Sequence, residues 1–348
     1  MSATLLVAVL LEPGEAVRLD ARQWTALLAA ARGERLIGTL AAKLDGLLVP
    51  EDVAAILADA RFENLRERRQ ALWEIDRAMA ALAPLDCPVV ILKGSAFVAA
   101  GLLAGQGRAI GDLDILVPRD RLDAVEAALL AAGWEWVKPD PYDDIYYRRW
   151  MHELPPLIHH DRDRMIDVHH TILPLTARPT PNAAAMIANA VTLEGGAFIL
   201  CPEHMVIHAA AHLLADGDMA GGLRNLWDID QLCREFGEAQ DDFYLSLHEE
   251  AHFHGLRREV SLALRLARDI FGTPVKAYRS PITVDYRSRI GDAFFRTRLL
   301  TRNGWGLEDR PFLRLGFYIR SHWLRMPPLM LARHLWTKWR KGYRPVGP

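Results

Sequence analysis

The sequence predicts an α+β protein. A small sheet-bearing core, residues 86–172, is flanked by an N-terminal helical region, 1–85, and a C-terminal helical region, 173–310, and a basic, aromatic helical tail, 311–348, follows. Three observations predict this. Apolar residues recur at helical spacing up to Leu82, short β-branched or alternating runs crowd between Val89 and His170, and helical spacing resumes from Pro202.

In the N-terminal region Trp24, Leu27, Leu28 and Ala31 form one helical stripe, and Leu72, Ile75, Met79 and Leu82 another. Pro84 and Pro88 then punctuate the chain and place a boundary near residue 85. Val89 to Leu92 reads as a strand, Lys93-Gly94-Ser95 as a turn in which Ser95 caps a helix, and Ala96 to Leu103 as that helix. A glycine there lets a ligand approach the backbone, and free N–H groups at the helix start suit a phosphate.

Gly111-Asp112-Leu113-Asp114-Ile115-Leu116-Val117 alternates strictly. Asp112 and Asp114 therefore share one strand face, with Leu113, Ile115 and Val117 on the other. Two carboxylates on one face repel each other, and a divalent cation bound through hard oxygen ligands relieves this. Arg121 to Ala132 reads as a helix stopped by Gly133, and Trp134 to Val137 as a strand. Ile145 to Trp150 and Leu154 to His160 look extended. The Asp161-to-Arg164 cluster reads as a turn, and Met165 to His170 as a returning strand that aligns Asp167 with His169. Helices are expected at Pro202–Leu214, Gly222–Phe236, Asp242–His254, Leu256–Phe271 and from Arg287 on.

Composition is that of an ordinary globular chain: 51% hydrophobic, 25% charged, net charge -2. Charge thus selects no polyanionic partner. Cys87, Cys201 and Cys233 are odd in number and widely spaced, which fits neither a disulfide framework nor a zinc ribbon and suits a reducing cytoplasm. The apolar run Leu5 to Leu11 lacks the basic head and cleavage site of a signal peptide, and no run is long enough to span a bilayer. The tail carries eight Lys or Arg and no acidic residue, interleaved with Trp323, Trp336 and Trp339. It reads either as a packed terminal helix or as a contact for anionic membrane or RNA, which would make the cytoplasmic protein peripheral to the membrane.

A strand ending in Gly94-Ser95, a helix, then Asp112-Leu113-Asp114 on the next strand and a later Asp167 resembles the nucleotidyltransferase superfamily of DNA polymerase beta. Leu92-Lys93-Gly94, Arg108 ahead of Asp112-Leu113-Asp114-Ile115-Leu116-Val117, and Ile166-Asp167-Val168-His169 more closely resemble a bacterial family known only as uncharacterised nucleotidyltransferases. His208 and His212, followed by Leu226-Trp227-Asp228-Ile229, look like the C-terminal part of that family. Sixteen residues separate Ser95 from Asp112, longer than the superfamily's usual interval, so a loop at Gly105-Gln106-Gly107 must follow the helix.

The resemblance implies a mixed-sheet nucleotidyltransferase core that moves a nucleoside monophosphate, AMP by default, from an NTP to an acceptor that is a small molecule, protein or RNA. Asp112, Asp114 and Asp167 would be the catalytic carboxylates, holding two Mg²⁺ (or Mn²⁺) ions. Lys93, Gly94 and Ser95 would bind phosphate, Arg108 would reach a phosphate or brace the aspartates, and His169 would support Asp167. Two other readings stay open. One is a silent nucleotide- or partner-binding protein on the same fold. The other is a zinc hydrolase using His204, His208 and His212, which recur every fourth residue on one helix face.

Overall fold

The computed structural model describes residues 2–138, 140–193, 196–275 and 286–325, together with Trp336 and Arg340. Four helices lead the chain: α1 (Ser2–Leu11), α2 (Ala21–Gly33), α3 (Ile37–Lys43) and the long α4 (Glu51–Leu82). The central part runs β1 (Val90–Ile91), α5 (Lys93–Ala99), β2 (Leu113–Leu116), α6 (Leu122–Ala131), β3 (Trp134–Trp136), α7 (Pro141–Trp150), β4 (Leu157–His159) and β5 (Met165–His169). It continues through α8 (Ala183–Ala188), β6 (Val191–Thr192) and β7 (Phe198–Ile199) into α9 (Pro202–Ala211), α10 (Gly222–Ala239), α11 (Phe243–Phe253), α12 (Arg257–Phe271), α13 (Tyr286–Leu299) and α14 (Pro311–Arg325). This is the expected α+β architecture.

Local chemistry explains most of these elements. Asp20 and Gln23 close a reciprocal capping box at the start of α2, with N···O distances of 2.8 and 2.9 Å. In α12 Val260, Ala263, Leu266, Ala267 and Ile270 bury one stripe, and Gly272, at φ +68°, ends the helix where a side chain would be strained. The seven strands form one mixed sheet in the order β3-β4-β5-β2-β1-β7-β6. β2 pairs in parallel with β5, and β1 with β7, while the other pairs are antiparallel. One continuous apolar core runs from α1 to Phe317 of α14 and includes Leu6, Leu27, Ile91, Ile115, Trp227 and Phe271.

Several local expectations are corrected. Ile145 to Trp150 is helical, as part of α7, because the Asp140 side chain accepts from the N–H groups of Tyr142 and Asp143 and Pro141 pre-sets the first turn. An Asp144–Arg148 pair at 2.8 Å adds support one turn on. These caps outweigh the β preference of the Ile and Tyr side chains. The helix after β1 begins at Lys93 rather than Ala96 and ends at Ala99. Ser95 is therefore inside its first turn, and no side chain caps it. Strands β6 and β7, which extend the sheet beyond β1, carry no signal among the prolines and alanines after Leu173. No helix among the described residues is long and apolar enough to cross a membrane. Beyond Arg325, only Trp336 and Arg340 of the basic tail lie within the described residues.

Candidate functional site

Parallel pairing of β2 with β5 sets Asp114 directly opposite Asp167. Neighbours in register on adjacent strands project to the same face, and Asp112, two residues ahead of Asp114, joins them at the bend where β2 begins. Each of the three carboxylates offers an oxygen, and these oxygens all lie within 4.8 Å of one another. Asp112 is exposed, Asp114 is only 4% exposed and Asp167 is intermediate.

The strand-to-helix turn supplies the cation. Leu92 N–H donates to Asp114 O at 2.9 Å, tying the entrance of α5 to β2. Lys93 follows at φ +50°, a left-handed conformation that costs a β-carbon-bearing residue about 1 kcal/mol or more. Its Nζ donates to Asp114 Oδ1 at 2.6 Å, and Nε2 of the buried His169 reaches the same oxygen at 2.9 Å. Burial alone would raise the Asp114 pKa, but Lys93 and His169 hold it well below the usual carboxylate range. Lys93 is correspondingly held above the ordinary lysine value, Asp114 outweighing the effect of burial.

Asp167 has the opposite environment. Burial, then the charges of Asp114 and Asp112, push its carboxyl up to about 7, against a smaller pull from Lys93, and no hydrogen bond lowers it. Unrelieved negative charge among hard oxygen donors fits a divalent cation held by Asp112, Asp114 and Asp167.

The other expected residues fall beside this group. Ser95 Oγ donates to Asp112 O at 3.4 Å, so its hydroxyl bears on the β2 bend. A β-carbon on Gly94 would lie 2.5 Å from Arg108 Nε, so the glycine makes room for that guanidinium. Arg108 pairs with Asp228 of α10 at 3.2 Å and lies over the Phe97 ring. Asp228 also accepts from Arg224, whose guanidinium donates to Thr39 Oγ1 and to Ala104 O. Burial lowers Arg224 to about 10 despite that pairing. Arg108 thus links the Gly94 turn to the C-terminal helices, pairing with Asp228 rather than with any of the three aspartates.

Sequence reasoning missed Glu153 and His152. Glu153 forms an isolated bridge with His169, and its Oε2 lies 3.4 Å from His169 Nδ1 and 3.6 Å from His152 Nε2. The His152 and His169 rings stack with centroids 5.2 Å apart. Tyr147 of α7 is held above its usual pKa by burial, then by the charges of Glu153 and Asp167. These residues sit on no alternating run, so periodicity could not mark them.

The three histidines of α9 and the turn after it are not brought together. His208 and His212 line a cleft with Lys93, Phe97, Arg108 and Asp228. Burial, then Lys93, keeps His208 far below the ordinary histidine pKa. His204 instead meets Glu250 and His254 of the α11 segment, with Nε2 2.9 Å from Glu250 Oε2 and 3.1 Å from His254 Nε2. Three such donors can surround an ion. However, the Asn182 N–H donates to His254 Nδ1 at 3.1 Å, so a neutral His254 carries its proton on Nε2, the atom facing the others. A metal needs that nitrogen bare, and the group is better described as a hydrogen-bonded clamp joining α8, α9 and α11.

Three carboxylates on and beside two paired parallel strands thus stand next to a lysine at a strand-to-helix turn and a cleft walled by helices. The family described as uncharacterised nucleotidyltransferase matches residues 20–272, and the chain belongs to that family. No curated protein matches the chain.

Proposed function

We propose that the protein catalyses attack of an acceptor hydroxyl, amine or phosphate oxygen on the α-phosphorus of an NTP. The bond to the α-phosphorus forms as the α–β phosphoanhydride breaks, giving an NMP-modified acceptor and pyrophosphate. AMP from ATP is the default donor group. The convergence of Asp112, Asp114 and Asp167 within 4.8 Å supports this reading most directly. These residues would hold Mg²⁺ or Mn²⁺, which neutralises phosphate charge and acidifies the acceptor. Asp167, kept ionised by the ion beside it, would take the proton of the acceptor that the same ion acidifies.

Lys93 and the Gly94–Ser95 turn bear on the phosphates. The cleft of Lys93, Phe97, Arg108, His208 and His212 receives the rest of the nucleotide. Positioning and electrostatics then supply most of the acceleration. The test is label transfer from each of the four α-labelled NTPs to fractions of cell extract, with Mg²⁺ or Mn²⁺ present. Metal-dependent labelling that disappears in Asp112→Asn/Asp114→Asn is expected. Labelling undiminished in that double variant would refute the catalytic assignment, and nucleotide binding without product from any donor would make the protein a binder.

A further inference from the structure

Resting on the nucleotidyl transfer just proposed, we infer that the site takes a single divalent ion, the ammonium of Lys93 holding the place that a second ion has in two-metal transferases. Asp114 is the carboxylate that decides this. Its Oδ1 accepts from Lys93 Nζ at 2.6 Å and from His169 Nε2 at 2.9 Å, so both lone pairs of that oxygen are engaged. Only Oδ2 remains for a metal. A carboxylate that bridges two ions gives one oxygen to each, and Asp114, set between Asp112 and Asp167, is the natural bridge. With its Oδ1 engaged, Asp114 cannot be shared between two ions, and a second ion would meet an ammonium of like charge.

Lys93 is built into this position. Its side chain is one-quarter exposed, its backbone is locked at φ +50° by the β1-to-α5 junction, and its neighbour Leu92 is bonded to the Asp114 carbonyl. His169 approaches from the other side and is 1% exposed. The charges also balance: Lys93 and one divalent ion together cancel three carboxylates. An ammonium has three protons, so with one on Asp114 Lys93 retains two for phosphate oxygens. Its phosphate role and its role as a stand-in cation are therefore compatible.

The experiment counts ions on the full chain. Wild type is titrated with Mn²⁺ in the presence of an α,β-methylene NTP analogue and followed by electron paramagnetic resonance, which distinguishes an isolated Mn²⁺ from a spin-coupled pair about 3.5–4 Å apart. One isolated Mn²⁺ per chain is expected. Lys93→Met should bind two as a coupled pair, with the Mn²⁺ dependence of analogue binding steepening from first to second order. Lys93→Gly, which frees Asp114 Oδ1 and suits the φ +50° backbone, gives the same readout should the Met variant not fold. A coupled pair in wild type would overturn the inference while leaving the proposed site intact. One ion in both lysine variants would overturn the stand-in role, and no Mn²⁺ on wild type would overturn the site itself.

Discussion

Asp167→Asn should make the metal-free protein more stable while removing its activity. The Asp167 carboxyl is pushed from 3.8 to about 7 by burial and by its two aspartate neighbours. Above pH 7 the folded protein must ionise a group that the unfolded chain ionises about three pH units earlier. At 1.36 kcal/mol per pH unit this is about 4 kcal/mol against folding, or about 2–4 kcal/mol once solvent access to a partly exposed side chain is allowed for. The sign follows from the raised value: no penalty below about pH 4, a penalty that grows as pH rises toward 7, and its full size above 7. Asparagine has nearly the same shape and no proton to lose. Denaturant unfolding in EDTA should therefore show the variant more stable by about 2–4 kcal/mol at pH 8, with the gap narrowing toward pH 5. Mg²⁺ should stabilise wild type and leave the variant unmoved, and its affinity for wild type should weaken by up to tenfold per pH unit below 7. A variant no more stable than wild type at pH 8 in EDTA would refute the reasoning.

Three further outcomes are expected. Asp112→Asn and Asp114→Asn should each lower transfer by at least about 10³-fold, roughly 4 kcal/mol, but only Asp114→Asn should also reduce stability, by about 3–5 kcal/mol, because it strands Lys93 and His169. Equal melting temperatures for the two variants would count against this. Gly94→Ala places a β-carbon 2.5 Å from Arg108 Nε, so a loss of about 1–3 kcal/mol in stability and weaker nucleotide binding are expected by thermal melting and calorimetry. Glu250→Gln should loosen α9 against α11, seen as faster amide exchange over 202–211, without changing zinc content by elemental analysis; stoichiometric zinc in wild type would contradict the clamp.

The strict alternation around Asp112 and Asp114, and the lone Asp167 between Ile166 and Val168, are legible in the sequence because period-two patterning is a local signal. Their meeting is not, since no local pattern states that β2 and β5 pair in parallel. Ser95 reads as a cap because serine favours that role, yet the helix starts two residues earlier and its hydroxyl turns to the Asp112 carbonyl. Equal spacing of His204, His208 and His212 suggests a shared task, but the neighbours divide them: α11 meets His204, while the cleft takes the other two. Glu153 and Tyr147 become visible only through long-range packing.

The register of β2 against β5 explains how a fold tolerates opposed carboxylates. Leu113, Ile115, Ile166 and Val168 face away from the acidic group and are all 5% exposed or less. Burying each contributes about 1.5–3 kcal/mol, so together they favour this register by about 6–12 kcal/mol. That exceeds the few kcal/mol of repulsion and desolvation at Asp167. Slipping β5 by one residue would turn Asp167 into the apolar side and bring Ile166 or Val168 out beside Asp114, forfeiting much of that apolar burial. The same four side chains that build the sheet therefore hold Asp114 opposite Asp167 before any ligand arrives. The arrangement of the carboxylates is thus a consequence of core burial, and Ile166→Thr or Val168→Thr should weaken metal binding together with stability. A threonine variant that loses stability but binds Mn²⁺ as tightly as wild type would show that the carboxylates are aligned by something other than this register.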